Sequence, residues 1–287
     1  MHQKEWEKRS LFITTKENSI LENLFSKKQK FFYKNQTVRL ILGNSFDVLQ
    51  HVEPESIDMV FADPPYFLSN NGVTCKGGRL VSVNKGDWDK LSEEETTIDN
   101  KHEFNRKWIQ YCKRILKPNG SIWISGTMHN IYSIGMALEE EGFKIINNIT
   151  WQKTNPPPNL ACKCFTHSTE TILWAKKADK ESKPFFNYSL MKELNGGKQM
   201  KDVWTGSSTK PSEKRMGKHP TQKPEYLLER IIQASTLAED TILDPFCGSG
   251  TTGVVASRMN RFFIGIDTEE DYLNITKARL EMLTGVE

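Results

Sequence analysis

Thr241-Ile-Leu-Asp244-Pro-Phe-Cys-Gly248-Ser-Gly250-Thr-Thr252 is the stretch on which the fold turns. A short β-rich run ends in an acid and a proline, so a strand must stop there. The glycines let the backbone turn tightly and lie close to a ligand, and the helix through Met259 begins with unpaired N–H donors. Phe262-Phe-Ile-Gly-Ile266 is the next strand, with Asp267 at its tip before a final helix from Glu270. A carboxylate in that place accepts from ribose hydroxyls in a Rossmann-like unit. The loop lacks both the G-x-G-x-x-G spacing of dinucleotide sites and the Gly-Lys-Thr/Ser ending of a P-loop. Asp244 would repel a pyrophosphate and suits a cationic ligand. Cys247 has no base oriented toward it and reads as small loop filler rather than a nucleophile.

The same alternation extends outward. Strands are predicted at 38–42, 57–62, 121–125 and 143–151, and helices at 104–116, 131–141 and 224–235. Alternating strands and helices imply a doubly wound, largely parallel α/β sheet. Trp108, Trp123 and Trp151 belong to its core rather than to a base-stacking surface. Residues 1–36 read as a polar N-terminal arm and 67–100 as a long loop. Asn155-Pro-Pro-Pro-Asn159 breaks the pattern, and up to His219 only Thr171–Trp174 is strand-like. The chain thus divides into an arm (1–36), a first half-domain (37–154), an inserted region (155–218) and a second half-domain (219–287).

Composition excludes several classes. Among 287 residues no apolar run approaches the roughly 18 needed to span a membrane. The charged first ten residues have no signal-peptide h-region, and five scattered cysteines fit a reducing cytoplasm better than a disulfide framework. The formal charge of +3 conceals an asymmetry. Residues 151–223 hold 14 basic and 6 acidic side chains, a net of +8, whereas 224–287 carry a net of −6. A basic block between less basic flanks suits nucleic-acid binding, although a solvated lysine-rich loop would look the same. Cys162, Cys164 and His167 lack a fourth ligand for zinc, and the chemistry calls for no metal.

Asp63-Pro64-Pro65-Tyr66 closes the strand at 57–62. A nucleobase amine is a poor nucleophile because its lone pair is delocalised into the ring. Two fixed acceptors, the Asp63 carboxylate and the Pro64 carbonyl, would draw it toward tetrahedral geometry. Pro64 and Pro65 hold that carbonyl still, so little ordering entropy remains at the reaction step. Tyr66 would offer an aromatic face to an extruded base.

Asp63–Tyr66 and Asp244–Thr252 together resemble the signature motifs of S-adenosylmethionine-dependent amino-methyltransferases acting on DNA. Their order, catalytic motif first, resembles the permuted β group of adenine-N6 enzymes. His219-Pro-Thr-Gln-Lys-Pro-Glu225 matches a further segment of that family. The 67–70, 81–89 and 151–156 stretches are similar to DpnA-type enzymes of GATC restriction–modification systems. The resemblance implies a Rossmann-like methyltransferase sheet with a target-recognition insertion, S-adenosylmethionine as cofactor, S-adenosylhomocysteine as product, and methylation of adenine N6 in a short DNA sequence. Asp63, Pro64, Pro65 and Tyr66 would be catalytic. Asn44, Asp63, Thr221, Lys223, Asp244, Phe246, Gly248, Ser249, Gly250, Thr251 and Asp267 would line the cofactor, with Thr221 and Lys223 near its methionine carboxylate. Gly43-Asn44 stands where many members have Gly-Asp. Lys153, Asn155, Asn159, Gln199, Lys210, Lys214, Arg215 and Lys218 would meet DNA, either double- or single-stranded. A homodimer stays open. So do cytosine-N4 methylation, an RNA substrate and a non-catalytic nucleic-acid-binding relative.

Overall fold

The computed structural model describes residues 20–66, 73–76, 79–82 and 97–284. The central sheet is built from β1 (Tyr33–Lys34), β2 (Val38–Leu42), β3 (Ile57–Ala62), β6 (Leu116–Gly126), β7 (Phe143–Lys153), β8 (Thr169–Lys177), β9 (Val203–Gly206), β10 (Thr241–Asp244) and β11 (Phe262–Asp267). Its spatial order is β1-β2-β11-β10-β3-β6-β8-β7-β9. From β2 to β6 every neighbour is parallel. β8 runs antiparallel between β6 and β7. A hairpin of β4 (Val73–Lys76) and β5 (Arg79–Ser82) falls inside the stretch expected as a loop. The remainder of 67–100 before Thr97 lies outside the described residues.

Apolar residues on consecutive positions bury both faces of the parallel strands. In β3, Val60 and Ala62 enter one core with α1 (Ser45–Leu49), α2 (Ile98–Ile115) and α3 (Ile131–Glu140). Met59 and Phe61 enter the other with α5 (Glu225–Ser235), α6 (Thr251–Arg258) and α7 (Glu270–Thr284). Helices cover both faces, as the alternation required. A short helix, α4 (Tyr188–Leu194), packs beside α5.

The inserted region differs from its sequence reading. Nine of its residues, Thr169–Lys177, form an interior strand of the main sheet. Only Ile172–Trp174 stood out as apolar, because polar residues fill both strand ends. Trp174 stacks on Trp123 with centroids 4.9 Å apart and planes at 10°. Trp123 is buried, and its Nε1 donates to Ser235 Oγ of α5 at 3.1 Å. Trp108 and Trp151 are buried too. The described end of the arm is also tied down: Leu21 and Phe25 are buried, and Glu53 N–H donates to the Leu24 carbonyl at 2.8 Å.

Trp123 therefore joins three elements. Trp123→Ala should cost about 3–5 kcal/mol in urea unfolding. A loss below about 1 kcal/mol would show that the stack is not a keystone.

Candidate active site

β10 leads through α6 to β11 on one side of the sheet, whereas β3 leads through α2 to β6 on the other. The two parallel neighbours are thus the switch point, where a crevice opens beyond the strand ends. Asp244 ends β10 and Asp63 follows β3. A cavity of about 230 Å³ lies there, and both acids line it together with Asn44, Phe46, Phe104, Thr221, Phe246, Gly248, Ser249, Thr251 and Asp267.

The glycine loop is held from three sides. Asp244 Oδ1 accepts the Phe246 N–H at 3.0 Å, and Oδ2 accepts the Thr252 hydroxyl at 2.6 Å. Asp267 accepts the Gly248 N–H at 2.7 Å and the Glu269 N–H at 2.9 Å. From α7, Thr276 donates to the Gly248 carbonyl at 2.9 Å and Arg279 to the Ser249 carbonyl at 2.6 Å. Gly250 has φ +70° and caps α6; a Cβ there would stand 2.2 Å from Thr276. Only glycine fits that combination of backbone angle and space. Thr276 and Arg279 were not among the sequence candidates. Their signal was a threonine and an arginine on the buried face of the last helix.

Burial pushes Asp244 up to about 7, against its hydrogen bonds from Thr252 and Phe246. Asp267 is pushed up to about 6 by burial as well. A cation beside the buried Asp244 and the partly buried Asp267 would favour their ionised forms. Burial also pushes the Cys247 thiol well above its ordinary range, which leaves it inert as a nucleophile.

Phe46, Phe104 and Phe246 form an apolar slot. Phe46 and Phe104 meet edge to face at 5.3 Å, and Phe104 and Phe246 lie 6.3 Å apart. Sequence reading singled out only Phe246; the other two come from α1 and α2 and look like ordinary core residues. Asn44 caps α1, accepting the Phe46 N–H at 2.9 Å.

Hydrogen bonds tie the Asp63 cluster together. Lys223 lines the cavity with Thr221, and its Nζ donates to Asp63 Oδ2 at 2.6 Å and to the Tyr66 hydroxyl oxygen at 2.9 Å. Asp63 and Glu170 together raise the Lys223 ammonium well above its usual value despite its burial. Tyr66 is 5% exposed and donates to Asp63 Oδ1 at 2.5 Å, with Lys223 Nζ beyond its hydroxyl edge, 5.4 Å from the ring centroid. Ser125 donates to the same Oδ1. Pro64 is buried behind Asp63, and Pro65 lines the cavity.

A second cavity of about 620 Å³ shares the wall Thr221-Gln222-Lys223 with the first and is lined by Tyr66, Trp151, Lys153, Asn159, Glu170 and Lys214 among others. Lys153 lines that cavity, is largely buried and pairs with Glu170 at 2.5 Å. Asn155 accepts the Ser208 N–H at 2.8 Å, and Asn159 folds its own turn by donating to the Cys164 carbonyl at 2.6 Å. Gln199, Lys210, Arg215 and Lys218 are exposed. Among the described residues no group of three or more His, Cys, Asp or Glu could hold a metal, and no helix is long and apolar enough to cross a membrane.

Crevice, glycine loop and paired acids define a transferase site of the doubly wound nucleotide-binding class. The family described as DNA methylase matches residues 57–278. The Type II methyltransferase M2.LlaDCHI of Lactococcus lactis subsp. cremoris is 65% identical over 251 residues, which span 88% of this chain and 92% of that protein. M2.DpnII of Streptococcus pneumoniae, also a Type II methyltransferase, is 66% identical over 252 residues, with the same 88% and 92% coverage. The crystal structure of the M1.HpyAVI–SAM complex superposes with a TM-score of 0.62 at 28% identity, covering 85% of this chain and 98% of the other. This chain belongs to the DNA methylase family, whose methyl donor is S-adenosylmethionine. The residues present fit that group: an aromatic slot for its purine, Asp267 for ribose hydroxyls, and buried acids for its positive charges.

Asp244 and Asp267 also set a pH dependence. A carboxyl whose folded pKa exceeds its unfolded value of about 3.9 favours the folded state while protonated, so its contribution is lost as pH rises through the folded value. Without ligand, stability should fall between about pH 4 and pH 7 from these two groups. Asp244→Asn should flatten the fall in Tm measured from pH 5 to pH 8; a slope unchanged from the parent protein would remove Asp244 as its source.

Proposed function

We propose that this protein methylates adenine N6 within GATC sequences of DNA, as the modification arm of a restriction–modification system. One observation carries the reading: the Asp63–Tyr66 stretch stands at the switch point with Asp63 and Pro65 lining a cavity suited to the cofactor and Tyr66 lining a second, larger one. The likeness of the chain to Type II methyltransferases at 65% and 66% identity supports the restriction–modification setting. The similarity of its 67–70, 81–89 and 151–156 stretches to DpnA-type enzymes supports GATC.

S-adenosylmethionine supplies an electrophilic methyl carbon on a sulfonium and leaves as S-adenosylhomocysteine. Phe46, Phe104 and Phe246 would hold its purine. Asp267 spends one lone pair of each oxygen on backbone N–H groups and keeps others for ribose. Asp244 would face the positive charge, which favours its ionised form. Asp63 and the Pro64 carbonyl would accept the two N6–H bonds and pull the lone pair out of conjugation with the ring. The rigid proline pair makes these acceptors part of the folded protein rather than something assembled at the reaction step. The amine gives up its extra proton to solvent afterwards, so the site needs no dedicated base.

Asp63→Ala should lower transfer of a tritiated methyl group at least about 10²–10³-fold. Its affinity for S-adenosylmethionine by titration should stay near that of the parent. Retained transfer would sink the assignment of Asp63. Digesting the methylated DNA to nucleosides should yield N6-methyladenine, and the DNA should resist cleavage by a GATC-cutting nuclease. N4-methylcytosine as the product would favour the cytosine reading instead.

A further inference from the structure

Phe165 is 96% exposed, more than any other large apolar side chain among the described residues. A single phenyl in water is ordinary on a protein surface, so exposure alone assigns it nothing. Its place in the fold does. β3 and β6 are parallel, β8 is antiparallel to β6, and β7 is antiparallel to β8. The connection from Lys153 at the end of β7 to Thr169 at the start of β8 therefore emerges at the carboxyl edge of the sheet, where Asp63 follows β3. Pro158, Leu160, Cys164 and His167 of this connection line the second cavity, together with Tyr66. Phe165 falls between two of these residues without lining the cavity itself. It precedes Glu170, another lining residue, by five positions, so their Cα atoms are within about 18 Å even at full extension.

The turn that presents the ring is held at its base. Asn159 Oδ1 accepts the Ala161 N–H at 3.2 Å, and its Nδ2 donates to the carbonyl of Cys164, the residue before Phe165, at 2.6 Å. From Gln152 to Thr169 the chain carries Lys153 and Lys163 but no acid. Lys214 lines the same cavity, and Lys210, Arg215 and Lys218, its neighbours in the chain, are exposed. A rim of this charge attracts a polyanion, and DNA is the polyanion on which the family acts.

A base enters the second cavity only after it has left the helix, and its departure opens a gap in the stack. An empty gap forfeits stacking on both sides, whereas a flat apolar ring restores part of it. We propose that Phe165 is the wedge of this enzyme: as the target adenine turns into the cavity beside Tyr66, the phenyl enters the duplex and fills the vacated place. Phe165 touches no reacting atom. It is a positioning residue, which keeps the base outside the helix while the methyl group is transferred. The proposal rests on the reading of this protein as a methyltransferase of adenine in duplex DNA.

The test is single-turnover methylation by the full-length enzyme, saturated with S-adenosylmethionine. Two substrates are compared: a paired GATC duplex, and the same duplex with an abasic site opposite the target adenine. Phe165→Ala should methylate the paired duplex about tenfold or more slowly, since the extruded state loses the ring that fills its gap. On the abasic duplex, where no base pair has to be broken, the loss should shrink to about threefold or less. Phe165→Trp, which keeps a flat apolar ring, should restore most of the rate on the paired duplex. Affinity for S-adenosylmethionine should match the parent in both variants, because the exposed side chain is remote from the cofactor cavity. A parent-like rate for Phe165→Ala on the paired duplex would overturn the proposal. So would an equal loss on both duplexes, which would make Phe165 a general contact with DNA or with a second copy of the chain. A parent enzyme that forms no N6-methyladenine on either duplex would instead bring down the functional reading.

Discussion

The parallel pairing of β10 with β3 is the constraint on which the molecule depends. It is short, with Ile242 opposite Met59 and Leu243 opposite Val60. With the β11–β2 pairing it joins the first and last parts of the chain, and the helices that follow β10 and β3 depart to opposite sides. Backbone hydrogen bonding between two strands thereby creates a crevice that neither half has alone. Asp244 and Asp63 reach its rim because each terminates the strand it belongs to.

The acids around that crevice are handled in two ways. Asp244 is buried and Asp267 partly buried, both are partnered by N–H and O–H dipoles, and burial lifts both toward neutrality. That leaves a cation as the ligand with most to gain from binding, because its charge favours their ionised forms. Asp63 instead has a full positive charge, Lys223, in contact with it. Within one cavity, Asp244 and Asp267 thus rest on dipoles, while Asp63 is balanced by an internal ion pair.

Much of this was legible from residue order. Strands 38–42 and 57–62 coincide with β2 and β3, and the Gly-rich loop lies between β10 and α6, because strand ends marked by Asp-Pro and glycines are local features. β8 was legible only at Thr171–Trp174, since a strand interior to the sheet can still carry polar ends where it borders a cavity. Tyr66 read as an aromatic face, but its ties to Asp63 and Lys223 through the hydroxyl are long-range or need a turn that sequence does not show. Phe46 and Phe104 passed for core residues, which in part they are, as they pack against one of the two cores.

By itself, the sequence determined the chemistry at each strand end: an acid held by prolines in one place, and an acid with a glycine turn in another. Those are short-range patterns, set by backbone torsions and by the absence of a donor or a Cβ. Tertiary structure decided which groups share charge. Lys223 follows Asp63 by most of the chain's length and Glu170 lies on a third element, so their contact exists only once β3, β8 and the segment before α5 are packed together. Coulombic pairing and burial depend on distance in space, and no local pattern encodes that distance.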